Sequence, residues 1–144
     1  MRIMVGVDSS SRAALEEALH LAHQLDAELH VVYSSFVSAA LFSAVARVPV
    51  DVESIKDAQA ESTWEMVEEV LATHPYPIHK HTVHGYPPDA LLDAEKELQP
   101  DLIILGSRGR GELASFLLGS TGHRVLQYAK ANVLIVKQDE ADDD

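Results

Sequence analysis

The sequence predicts an α/β fold: a five-stranded, doubly wound parallel sheet with helices on both faces. Three observations lead there. Short apolar runs alternate with longer segments of helical periodicity as far as about residue 137. The runs are continuous in Val, Ile and Leu, without polar alternation, as strands covered on both faces require. A glycine-rich stretch directly follows the fourth run, at the strand end where such sheets open a ligand crevice.

Residues 3–7 form the first strand, and Ser9, Ser10 and Ser11 supply caps for a helix whose apolar face is Leu15, Ala18, Ala22 and Leu25. Residues 28–33 (ELHVVY) form the second strand. A weakly polar excursion over residues 36–49 follows, with Leu41, Phe42 and Val45 in it. It fits either a lid or partner surface beside a ligand, since long loops in small domains are often functional, or the core packing of a short helix. Val52, Ile55, Thr63, Met66, Val67 and Val70 then mark a long helix, with Glu61, Glu65, Glu68 and Glu69 outward and Trp64 as a hydrophobic anchor. Residues 78–84 form the third strand. Gly85 and the Pro87-Pro88 pair lead into a helix carrying Leu91, Leu92 and Ala94, proline being suited to a helix's first turn. Pro100 ends that helix, residues 102–105 form the fourth strand, and residues 133–136 the fifth. The reading is one domain over residues 1–137 and a solvated acidic tail over residues 138–144.

Composition narrows the functions open to this fold. The chain has 144 residues, with 11 Lys and Arg against 23 Asp and Glu, a formal net charge of -12. Such a surface repels nucleic acid and anionic lipid, which select cationic footprints. No run reaches the roughly 20 apolar residues of a membrane span, and the opening residues lack a signal peptide's apolar core. Without cysteine there is no disulfide, thiolate metal site or thiol nucleophile, and a cytoplasmic location is expected.

The most informative segment is residues 106–121, GSRGRGELASFLLGST. Gly106 and Gly109 follow a strand, where missing Cβ atoms let backbone N–H groups approach a phosphate, and Gly119 and Ser120 precede a helix over about residues 121–129. Ser120 suits either a helix cap or a phosphate contact, and the glycines suit either an anion cradle or tight turns alone. Charge favours the cradle. Arg108, Arg110 and Arg124 against Glu112 give this region +2, while the remaining 8 basic and 22 acidic residues give -14. One of the three arginines is expected to pair with a surface carboxylate. The segment lacks the lysine of G-x-x-x-x-G-K-[ST] and the third glycine of G-x-G-x-x-G, which argues against a Walker-type NTPase and a dinucleotide dehydrogenase.

The spacing Gly106, two residues, Gly109, nine residues, Gly119-Ser120 resembles the G-x2-G-x9-G-[ST] motif of the universal stress protein family, ATP-binding branch. The resemblance spans residues 1–137 and includes IMVGVDSS, HVVY, PDLIILGSRG, LLGSTGHRVLQYA and ANVLIVK. It implies a Rossmann-like, adenine nucleotide alpha hydrolase-like fold and a stress-response regulator that binds ATP, with Mg2+. Gly106, Gly109, Gly119 and Ser120 would hold phosphates, joined by Arg108 and by the neighbouring Thr121 hydroxyl. Asp8 would meet the ribose or a nucleotide-bound Mg2+, and Val7, Val31 and Leu105 would wall the adenine. Ser9 and Gly122 depart from residues frequent in ATP-binding members, which keeps AMP and ADP open as occupants. The family also implies a homodimer through Val133, Leu134, Ile135 and Val136, and an exposed strand edge independently favours self-association.

Other candidates weigh less. A carboxylate ending a buried strand, Asp8 suits ligand contact and equally the cap of the following helix. His79 and His81 share a strand face, and His20 and His23 can share a helix face, but neither set has a third ligand in reach by sequence, so surface histidines are expected and no protein metal site. His123 is expected to point to solvent. No G-x-S-x-G elbow accompanies Ser107 or Ser120, which argues against hydrolase chemistry of that kind. Slow ATP hydrolysis and a dimeric interaction module with an empty pocket are the alternatives to a nucleotide-binding regulator.

Overall fold

A computed structural model of the chain describes residues 1–107 and 119–137. The elements run β1 (Arg2–Val7), α1 (Arg12–Leu25), β2 (Glu28–Ser35), α2 (Ala39–Val45), α3 (Val52–Thr73), β3 (Ile78–His84), α4 (Pro87–Leu98), β4 (Leu102–Gly106), α5 (Ser120–Tyr128) and β5 (Asn132–Val136). The five strands form one sheet in the order β3-β2-β1-β4-β5, with every pairing parallel. This is the doubly wound α/β sheet that the apolar runs require. β1 lies at the centre, between β2 and β4, and β3 and β5 are the edges.

Each face of the sheet carries its own apolar layer. Ile3, Val5, Leu29, Val31 and Ile104 meet Leu15, Ala18 and Leu19 of α1 and Val67 and Val70 of α3. Met4, Val32, Ile103 and Leu105 meet Leu91 and Ala94 of α4 and Val125 of α5. Parallel strands sealed on both faces explain why the central runs carry no polar alternation.

Element ends follow local chemistry. α1 stops at Asp26, whose left-handed backbone (φ 51°) closes the helix, and Tyr76 donates its hydroxyl to Ala22 O and Ala27 O on either side of that turn. The same stop corrects the expected apolar face: Leu15, Ala18 and Ala22 are buried, but Leu25, at the last helical position, is 50% exposed. Gly85, at φ +121°, makes the turn into α4, and Pro87 and Pro88 occupy its first positions. The excursion holds the short helix α2, capped by Ser38, whose Oγ accepts from the Leu41 amide at 3.1 Å. None of its residues is buried, and Phe42 is 55% exposed, so core packing is not its role. Trp64 packs partly buried against the core, edge-on to Tyr33 at 6.3 Å.

One buried acid ties the two halves of the sheet's second layer together. Glu95 of α4 is 8% exposed, and its Oε2 accepts from the amides of Lys130 (2.9 Å) and Ala131 (2.8 Å) in the turn between α5 and β5. Among the described residues no helix is long and apolar enough to cross a membrane.

Candidate functional site: a cleft at the β1/β4 switch point

The winding of the chain reverses between β1 and β4, so the loops leaving their carboxyl ends diverge and open a crevice. β1 delivers Asp8 there, β4 delivers Gly106, and α5 begins opposite them. The cleft measures about 500 Å3, within the roughly 300–1,000 Å3 of small-molecule sites. Val7, Asp8, Leu105, Gly106, Gly119, Ser120 and Thr121 all line it. Arg108 and Gly109, which belong to the same expected set, lie outside the described residues, as do Arg110 and the acidic tail.

Val31 is a correction. It lies opposite Val5, one pleat below the strand end, and is fully buried in the core. The residue level with Val7 is Tyr33, and Tyr33 and Val32 line the cleft where Val31 was expected. Val31 was implied by the family resemblance alone, and the register of β2 against β1 sets it two residues below the level of Val7.

Asp8 is not the cap of α1, whose N-cap is Ser11, but its carboxylate organises the residues just before it. Its Oδ1 accepts from the Ser10 amide (2.8 Å), the Ser10 hydroxyl (2.5 Å) and the Ser11 hydroxyl (3.1 Å), while its own amide donates to Ser11 Oγ at 2.9 Å. The carboxylate therefore builds the turn before α1, and it does so on the wall of the cleft. Removing it with Asp8→Ala is expected to cost about 1 kcal/mol through the lost turn hydrogen bonds, read as a small drop in melting temperature.

The other wall is a helix N-terminus. Gly119 occupies the N-cap with extended backbone (φ -66°, ψ 164°) and, as a glycine, offers no side chain to cap the first turn. Ser120 is thus the first helical residue and not the cap, a correction of one position. First-turn N–H groups have no partner within a helix and carry a partial positive charge. Gly119, Ser120, Thr121 and Gly122 bring that end to the cleft. The Gly119 amide donates to Ser107 O (2.9 Å) and the Ser107 amide to Val136 O (2.9 Å), which fastens this end of the cleft to β5.

Several lining residues escaped the sequence reading. Gln59 and Thr63 of α3 reach the cleft, the Thr63 hydroxyl donating to Gln59 O at 2.9 Å. Two polar residues at i and i+4 on an otherwise apolar helix face were the available signal. Phe36 and Leu41, in the excursion for which a lid beside a ligand was one of the expected roles, do line the cleft, and Phe36 meets Tyr86 edge to face at 5.5 Å. Of the basic island, Arg124 is committed to the surface, its Nε donating to Asp89 Oδ1 at 2.8 Å and its guanidinium lying 5.6 Å from the Tyr128 ring. His123 is exposed.

The histidines depart furthest from expectation. His79 and His81 are not isolated: β2 places the buried His30 directly opposite His79, and Glu28 two residues away on the same face. A hydrogen bond from His30 holds the Glu28 carboxyl below its ordinary range, with burial opposing and Arg2 assisting. Burial first, then the neighbouring His30 and His79, hold His81 below the usual imidazole range, with Glu97 opposing.

With this geometry in hand, comparison places the chain among known proteins. The universal stress protein family model matches residues 1–137. The chain belongs to the universal stress protein family. Universal stress protein YxiE of Bacillus subtilis is 30% identical to it over 145 residues, covering 94% of this chain and 98% of that protein. Universal stress protein UspA from Lactobacillus plantarum superposes with a TM-score of 0.74 at 26% identity, over 94% of this chain and 97% of that one. Two further solved universal stress proteins share the fold: one in complex with cAMP (TM-score 0.67, 24% identity, 94% and 96% covered) and one from Archaeoglobus fulgidus in complex with dAMP (TM-score 0.67, 20% identity, 95% and 98% covered).

Proposed function

We propose that this universal stress protein binds an adenine nucleotide, ATP or else ADP or AMP, in the β1/β4 cleft, and acts as a cytoplasmic stress-response regulator. The observation that carries the reading is the pairing of a glycine-led helix N-terminus with an apolar slot in one cleft. The first suits phosphate and the second suits a base. Solved members of the fold that hold cAMP and dAMP support it. In this reading Gly106, Gly119, Ser120 and Thr121 hold the phosphates together with Gly109 and Arg108, and Val7, Leu105 and Tyr33 flank the base.

Asp8 is the one carboxylate among the described lining residues, and its Oδ1 already accepts three hydrogen bonds. Mg2+ is commonly held by one or two carboxylates together with substrate phosphates and water. The donor set here fits a Mg2+ carried chiefly by the nucleotide, with Asp8 beside it. The same commitment of Asp8 to a turn favours binding and regulation over ATP turnover.

Mass spectrometry of ligand released by heating the purified protein, with calorimetric titration of ATP, ADP, AMP and GTP, tests the assignment. Adenine nucleotides should bind in preference to GTP; no affinity for any of them would leave an interaction module with an empty pocket. Phosphate release under excess ATP separates turnover from storage. In the same titrations Asp8→Ala should weaken the nucleotide at least several-fold, whereas an unchanged affinity would make Asp8 structural only.

The edge strand β5 completes the proposal. Val133, Leu134, Ile135 and Val136 are each only half-buried, and an apolar parallel edge invites pairing. We read it as the homodimer interface. Ile135→Lys should give monomers by light scattering with a native far-UV spectrum; a dimer that persists would place the interface elsewhere.

A further inference from the structure

At the opposite end of the sheet from the cleft, four polar side chains converge on one face of β2 and β3. Parallel pairing sets His30 opposite His79 and Val32 opposite His81, so the period of two brings Glu28, His30, His79 and His81 to the same side. The His30 and His79 rings stack at 4.6 Å and the His30 and His81 rings at 5.0 Å. His30 Nε2–H donates to Glu28 Oε1 at 2.6 Å, and His30 Nδ1 shares a proton with His81 Nε2 at 2.8 Å.

We propose that Glu28, His30 and His79 form a binding site for a divalent transition-metal ion of the zinc, cobalt or nickel kind, with His81 as the group that orients His30. One ligand atom from each of the three lies within 4.8 Å of the others. Donors about 2.1 Å from a common tetrahedral ion stand roughly 3.4 Å apart, so closure needs a movement of about 1 Å. Glu28 and His79 are exposed and can make it by side-chain rotation, while His30, 6% exposed, is the fixed post. Imidazole nitrogen with carboxylate oxygen selects borderline first-row ions over Mg2+ and Ca2+, which take oxygen. A metal-bound imidazole normally gives its second nitrogen to an orienting partner, and His30 Nδ1 already has one in His81. The ion would take the place of the proton now lying between His30 Nε2 and Glu28 Oε1. Three protein ligands leave a coordination position for water, and the exposed side chains give the ion a way in.

The site does not depend on the nucleotide reading. Cα positions advance about 3.3 Å per residue along a strand, which sets Glu28, at the start of β2, roughly 20 Å from Ser34 in the cleft wall. Chelator competition with Zn2+, and visible absorption on titration with Co2+, test it on the full chain. One ion per chain is expected, with tetrahedral-type cobalt bands. His79→Ala and Glu28→Gln alter exposed side chains and should each weaken Zn2+ at least tenfold, while His20→Ala on α1 leaves it unchanged. Equal affinity in wild type, His79→Ala and Glu28→Gln would overturn the site, as would wild-type binding no tighter than millimolar. Loss in His20→Ala alone would do the same. Nucleotide titrations of His79→Ala should match wild type.

Discussion

Replacing Gly119 by Asp is expected to abolish adenine-nucleotide binding, by at least a hundredfold in dissociation constant, with almost no change in stability. Gly119 is the N-cap of α5, in the extended conformation (φ -66°, ψ 164°) that capping residues adopt, and aspartate is among the best residues there. Its carboxylate would accept from first-turn amides and would stabilise the helix relative to glycine by only a few tenths of a kcal/mol. The same carboxylate would bring a negative charge to the position a phosphate is proposed to occupy, and would engage the donors that phosphate needs. Calorimetry for affinity and thermal denaturation for stability read the two effects separately. Undiminished affinity in a well-folded Gly119→Asp would show that the helix N-terminus does not hold the ligand. Gly119→Ala, which adds no charge, should lose much less.

Glu95→Ala should show the reverse pattern, a loss of stability with the cleft chemistry intact. Glu95 Oε2 serves two backbone donors, Lys130 and Ala131, from a position 8% exposed. Hydrogen bonds to charged groups contribute about 1.5–3 kcal/mol each, and donors left without a partner add their desolvation cost. Lys130 is exposed and Ala131 half-buried, so water recovers part of the loss. The expected cost is about 2–3 kcal/mol, or roughly 5–10 °C in melting temperature for a domain of this size. Glu95→Gln keeps an acceptor oxygen and should lose about half as much. A melting temperature for Glu95→Ala within 1–2 °C of wild type would show the staple to be dispensable.

What could be read in the sequence follows from the range of the interactions involved. The strands were legible because parallel strands buried on both faces must be continuous apolar runs, and β3 has the expected limits of Ile78–His84. The strand ends at Asp8 and Gly106 were legible for the same reason, and with them the place of the cleft. Features set by position across strands were not. Val31 and Tyr33 belong to one apolar run, and only the pairing of Val7 with Tyr33 tells which of them reaches the cleft. Glu28 and His30 meet His79 through a register between segments some fifty residues apart, which no spacing within either segment reveals. Glu95 carried no signal in the sequence, because its partners are amides 35 and 36 positions later. The excursion after β2 was ambiguous in composition, and its short helix lies on the cleft because Ser38 caps it there and Phe36 meets Tyr86.

The central place of β1 sets an order of assembly. β1 precedes both of its partners in the chain, yet one of its edges is filled by residues beginning at Glu28 and the other only when Leu102 arrives. Arg2 marks the delay: its amide donates to Asp101 Oδ2, and the Asp101 amide returns a bond to Arg2 O, across 99 positions of chain. During synthesis the β1–β2–β3 half can pair by itself, but it must carry an open, apolar central edge until β4 has been made. Such edges are the segments that growing chains most need to keep from other chains. The wall of the cleft that β4 supplies therefore comes into being only after the β1–β2–β3 half has been made.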